Sequence, residues 1–259
     1  MLAKLLKYEF KATGRKFIPL YIAILIVSII TRITMPIPAL EKVPVLGIII
    51  LVGLFVATAV LNLTVCIERF NKNLLGDEGY LMFTLPVKSG ELIISKLIVS
   101  VTWAFLAGII AILAFMIMAT NSITIKEIAE AFVALKSELP RLISMITLEN
   151  WEIISLVILI PVGIVINYTL PLLCIYASLS FAQVGRFNKH RIPVAFIIFF
   201  IISWIIAFLT TTVFKFVLEK FMYVSNIAGI IGVVIWSGIL ATALFYLTKY
   251  LLKNHLNLE

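Results

Sequence analysis

Six apolar runs of bilayer-crossing scale constrain this chain more than any other feature of its sequence. They fall at residues 17–31, 43–67, 92–119, 151–182, 192–214 and 227–247. A hydrocarbon core needs about twenty apolar residues per helix. The expected fold class is therefore an all-α polytopic membrane protein with six transmembrane helices. Charge is too sparse for a water-facing globule: 63% of the residues are hydrophobic and 13% charged, against roughly half and a quarter in soluble domains.

Lysine and arginine in the flanks set the expected orientation. The N-terminal segment, the 2–3 and 4–5 connections and the C-terminal tail together carry fourteen; the opposite side carries seven. The richer side is expected in the cytoplasm, with both termini there, which makes the chain a multi-pass membrane protein. The net charge of +8 lies at span ends, where it meets anionic headgroups; no basic stripe with aromatic platforms suggests nucleic acid. The first sixteen residues are amphipathic and no small-residue cleavage site follows, so no removable signal peptide is expected. Cys66 and Cys174 lie far apart in apolar runs and read as small buried residues, not as a disulfide or metal site.

One membrane domain is expected over 1–259. It divides into an interfacial helix at 1–16, a six-span bundle at 17–247, an outer segment at 120–150 and a cytoplasmic tail at 248–259. In the first part, Leu2, Leu5, Leu6 and Phe10 fall on one helical face and Lys4, Lys7, Lys11 and Arg15 on the rest. That pattern suits a helix lying in the inner leaflet, with Gly14 as a hinge to the first span. The 120–150 segment carries a capping box, Thr124 with Glu127, and apolar stripes on either side of Pro140, which predict two short amphipathic helices. The fourth run holds Pro161 and Pro171. Each removes a backbone donor, so this helix is expected to be kinked and to line a cavity or pack within the bundle. Asn62, Asn167 and Tyr168, with these two prolines, are candidate pathway residues.

Chemistry is notable for what the sequence lacks. There is no HExxH, no GxSxG and no P-loop GxxxxGK[ST], and the spans have almost no ionisable residues of the kind a proton-coupled carrier needs. The chain is not expected to be an enzyme or to hold a metal or cofactor of its own.

The connection between spans two and three departs from a passive polar turn. It contains Asp77-Glu78-Gly79-Tyr80-Leu81-Met82-Phe83-Thr84-Leu85-Pro86. Asp77 and Glu78 favour a helix start, Pro86 ends it, and the apolar residues between them suit a binding surface. Ser89 is expected to cap the third span, with Glu91 in its first turn.

That loop, together with the opening Leu5-Leu6-Lys7-Tyr8-Glu9-Phe10, resembles the permease subunits of bacterial ATP-binding-cassette transporters of the type-two exporter class. The resemblance covers the layout of most of the chain. It implies that the segment around Leu5 to Phe10 is a connecting helix. It also implies that the stretch from Asp77 to Pro86 is a coupling helix seated on a separate ATPase, with Tyr80 and Phe83 as apolar anchors and Glu78 as a charged contact. The partners implied are that ATPase, which would bind Mg-ATP, and a second permease chain, as homodimer or related heterodimer. One departure stands out. The family places re-entrant helices between spans five and six, whereas here that connection is short and the larger outer segment follows span three. The alternative reading from the residues is a non-transporting sensor or assembly scaffold; a secondary carrier is disfavoured by the absence of intramembrane charge and internal repeats.

Overall fold

The computed structural model describes residues 2–75, 89–119, 151–183, 191–220 and 226–254, with a few helical residues between 130 and 140. Six long helices account for nearly all of it, and no strand occurs among the described residues. They are α1 (Leu2–Thr34), α2 (Lys42–Leu75), α3 (Ser89–Ala119), α4 (Trp151–Ala182), α5 (Arg191–Val213) and α6 (Asn226–Asn254). Each is long and apolar enough to cross a membrane. The chain is an all-α polytopic membrane protein, as its apolar runs predict.

Local chemistry explains the boundaries. Pro36 and Pro38 follow α1, where residues preceding proline leave the helical region, and Pro38–Leu40 forms a single 3-10 turn. Pro44 and Pro193 sit in the first turns of α2 and α5, where a missing N–H costs nothing. α3 starts at Ser89 with Glu91 in its first turn. After Val213 the chain widens into a π turn over Phe214–Leu218. Serine and threonine inside the helices turn back on their own backbone: Thr31 donates to Val27 at 2.7 Å, Ser180 to Tyr176 at 2.8 Å and Thr248 to Leu244 at 2.8 Å. These bonds hide hydroxyls that lipid could not solvate.

Two expectations need correction. Gly14 is no hinge, because α1 runs unbroken from Leu2 to Thr34; Gly14 is buried, and a Cβ there would meet the Trp103 ring at 3.5 Å. Of the two settings expected for the fourth helix, packing within the bundle does not hold around its prolines, since Pro161, Asn167 and Pro171 are exposed and the helix is continuously covered only from about residue 172; lining a cavity does hold, since Asn167 borders an open groove. The expected helices of 120–150 fall almost entirely outside the described residues, as does the end of the tail.

The helices form two compact units. The first comprises residues 1–66 and 94–138, the second 67–93 and 139–259. In the first, the buried positions of α1 (Glu9, Thr13, Phe17, Tyr21, Ile24, Ser28 and Thr31) recur at intervals of three or four, one stripe along the whole helix. Phe17, Tyr21, Val65, Val99 and Trp103 form its larger core cluster. The Phe17 and Trp103 rings stack at 4.8 Å. Gly47 of α2 sits so close to α1 that an added Cβ would overlap Thr31, the small-residue contact by which membrane helices approach. In the second unit α4 packs on both α5 and α6. Gly163 of α4 faces Val234 of α6, where a Cβ would come to 3.2 Å, and the indole of Trp236 donates to Thr210 at 3.2 Å.

Candidate functional site

The coupling-like residues Asp77 to Pro86 lie outside the described residues. Their two flanks are well defined, and both belong to the second unit. Leu74 and Leu75 close α2 with almost no exposed surface. The last carbonyls of any helix lack an intrahelical donor. Here the side-chain amide of Gln183, just past the end of α4, donates to the Leu75 carbonyl at 2.8 Å. One and a half turns earlier, Phe70 lies flat on Tyr176 with ring centroids 4.0 Å apart, and both rings are fully buried. The other flank is seated as firmly. Leu92 and Ile93 are buried, and Gly90 lies beside the Phe245 ring and the Lys249 stem of α6, where a Cβ would make ordinary contact with both. Beside these contacts, the Asn71 side-chain oxygen is buried with no hydrogen-bond partner among the described residues.

The N-terminal segment shows a second arrangement, within the first unit. Leu5, Leu6 and Phe10 are half-buried, Lys7 and Tyr8 exposed. Glu9 is buried: its carboxylate accepts from the Lys96 ammonium of α3 at 2.9 Å. One turn on, the Thr13 hydroxyl donates to the Glu9 carbonyl at 2.8 Å and accepts from the Trp103 indole at 2.8 Å. Two turns further, the Tyr21 hydroxyl donates to the Trp103 carbonyl at 2.7 Å. Between membrane helices apolar burial gives little net drive, and each interhelical hydrogen bond contributes only about 0.6 kcal/mol. The ion pair adds a charged link between α1 and α3 to these neutral ones.

The candidate pathway residues divide between the units. Asn62 belongs to the first, where its side-chain oxygen accepts from Ser100 at 3.4 Å, and Ser100 in turn accepts from the Cys66 thiol at 2.8 Å. This is a packed hydrogen-bonded chain, and Cys66 and Cys174 are both buried, as their setting in apolar runs predicts. Asn167 belongs to the second unit. Its amide donates to the Gly163 carbonyl at 2.9 Å, and it borders an open groove of about 600 Å³ whose other lining, including Ile164, Phe214 and Val233, is nearly all apolar. Tyr168 is half-buried beside it.

Sequence reasoning treated Lys96 as a flanking charge and passed over Thr13, Trp103 and Gln183. For Lys96 a signal existed: it stands two turns inside α3 among Ile93, Ile94, Leu97 and Ile98, where a lone cation requires a partner. Among the described residues no group of three metal-ligating side chains comes together. Compared with models of known families, with curated proteins and with solved structures, the chain matches none.

Proposed function

We propose that this chain is the membrane subunit of an ATP-driven transporter, an exporter, in a bacterial cytoplasmic membrane, and that its 76–88 connection is the seat of a separate ATPase. The observation that carries the reading is the pairing of an apolar loop sequence with buried flanks. Tyr80, Leu81, Met82, Phe83 and Leu85 form a hydrophobic run bracketed by Gly79 and Pro86. The helices entering and leaving it are clamped through Gln183, Tyr176 and Phe245. A partner pushing on such a loop moves packed helices, because the ends of the loop cannot slip.

The absence of a P-loop from the sequence supports a division of labour in which Mg-ATP is bound and hydrolysed by the partner. Two membrane chains and two ATPase chains would form the working unit. The N-terminal helix, tied to α3 by Glu9 and Lys96, would move with the span that follows the loop.

The test is co-purification from gently solubilised native membranes, with identification of the partners by mass spectrometry, using the tagged chain and its Tyr80→Asp and Glu78→Lys variants. A P-loop ATPase present with the parent chain and lost from both variants is the expected result. A well-folded preparation that captures no ATPase in any form overturns the proposal in favour of a sensor or scaffold.

A further inference from the structure

The groove beside Asn167 is a slot set into the second unit, at the end where α4 and α6 begin and α5 finishes. Two glycines, Gly163 of α4 and Gly229 of α6, help to hollow it. At Gly163 an added Cβ would come to 3.2 Å from Val234, so the two helices meet closely along its floor. Phe214, the first residue of the π turn, forms part of a third wall; such widened turns are frequent at functional sites. About one helical turn deeper, the Trp236 indole donates to Thr210 at 3.2 Å and draws α5 and α6 together beneath the slot.

Its dimensions are those of one leaflet. The lining reaches Asn167 in α4 and Val234 in α6, whose spans begin at Ile154 and Ile227. At a rise of about 1.5 Å per residue those points lie about 20 and 10 Å inside the ends of their spans, against roughly 15 Å for half a hydrocarbon core. A volume of about 600 Å³ over that depth leaves a cross-section of about 40 Å². A helix about 10 Å across needs roughly twice as much, so a further span does not fit, while a single acyl chain does. Walls that are nearly all apolar give water no partners, and the Asn167 amide is already turned back on the Gly163 carbonyl. The mouth is cationic on balance. Lys215 directly follows the lining Phe214, and Glu219 and Lys220 lie just beyond; all three are exposed.

We propose that the slot holds one acyl chain of a phospholipid from the leaflet at that end, with the phosphate of the same molecule at Lys215. The chain leaves one apolar medium for another, so transfer from water contributes nothing. What holds it is dispersion contact on three sides, which an empty slot would forfeit, and a charge-assisted contact between phosphate and ammonium. The lipid in the slot therefore exchanges more slowly than the lipid around the open helix faces. This site is independent of the transporter reading, and its test contains no ATPase, so the two fail separately.

The experiment reconstitutes the full chain into vesicles of phosphatidylethanolamine and phosphatidylglycerol. A small fraction of the phosphatidylglycerol carries a diazirine partway along one acyl chain. After brief illumination, the labelled residues are mapped by mass spectrometry. Label should concentrate on Ile160, Ile164 and Val233, several-fold above Ile112 of α3 and Phe208 of α5, which are exposed outside the slot. Label spread evenly over the exposed faces means ordinary surrounding lipid and overturns the proposal. A slot without label means that another part of the chain or a partner covers it, and overturns the proposal too. Ile164→Trp fills the slot and Lys215→Glu reverses the charge at its mouth; each should lower slot labelling several-fold. Val165→Trp, on α4 beside Ile164 but outside the lining, should leave it unchanged. Wild-type labelling in either slot variant, or an equal loss in Val165→Trp, also overturns it.

Discussion

The Lys96 ammonium lies 2.9 Å from the Glu9 carboxylate, and both side chains are more than nine-tenths buried. A pair this enclosed behaves differently from the exposed Glu68–Lys72 bridge of α2, a contact of the kind that contributes about 0.3–0.5 kcal/mol in a helix. Lys96→Met should destabilise the protein by about 3 kcal/mol, because it takes a charged partner away from a buried carboxylate. Adding Glu9→Leu should restore most of the loss. Unfolding in detergent micelles, followed for both single variants and the double variant, checks the sign and the recovery. A double variant no more stable than Lys96→Met alone would show that the pair is not a closed unit.

Gln183→Leu should lower stability by about 1–3 kcal/mol, since it removes a side-chain donor from the buried Leu75 carbonyl. The effect should be local as well as global. Hydrogen exchange of the backbone amides over the last turn of α2 should accelerate before exchange in the middle of that helix changes. Uniform acceleration along α2 would contradict a capping role.

Gly47→Ala should be among the most damaging small substitutions in the first unit. The added methyl would overlap the Thr31 side chain, and overpacking of this kind costs about 1–3 kcal/mol. Thr31→Ala in the same chain removes the hydroxyl and methyl it strikes and should recover part of the loss. Thermal unfolding of the single and double variants decides it.

Asn71→Leu should be neutral or stabilising by up to about 1 kcal/mol, because the wild-type side chain holds a buried acceptor without a partner among the described residues, and an apolar replacement removes that penalty. If the same variant co-purifies less ATPase while unfolding no more easily, the asparagine is retained for the partner and not for the fold.

The existence and placement of the helices were legible because lipid enforces one rule on every span: about twenty apolar residues, whatever their neighbours. The ends were less legible where a helix continues past the bilayer. α1 begins at Leu2 and α6 reaches Asn254, since polar side chains do not stop a helix in water. The contacts were illegible for a different reason. Glu9 and Lys96 are 87 residues apart, Leu75 and Gln183 are 108, and no local period links them. Gly14 shows the ambiguity at one position: glycine permits a hinge without requiring one, and only the unbroken course of α1 from Leu2 to Thr34 decides against it. Pro161 and Pro171 were legible as prolines in a span, but which side of α4 they occupy depends on where α5 and α6 pack.

The Phe70 and Leu75 contacts have one more consequence when they are taken together. Phe70 is held on Tyr176, and the carbonyl five residues later is held by Gln183; both partners lie on the same stretch of chain at the end of α4. One residue added between them would advance Leu75 by about 1.5 Å and rotate it by about 100°, so that either the stacked rings or the amide bond must be released. The two contacts act as a gauge that counts the residues in the final turn of α2, and an insertion or deletion there is read as an error of register before the loop is reached.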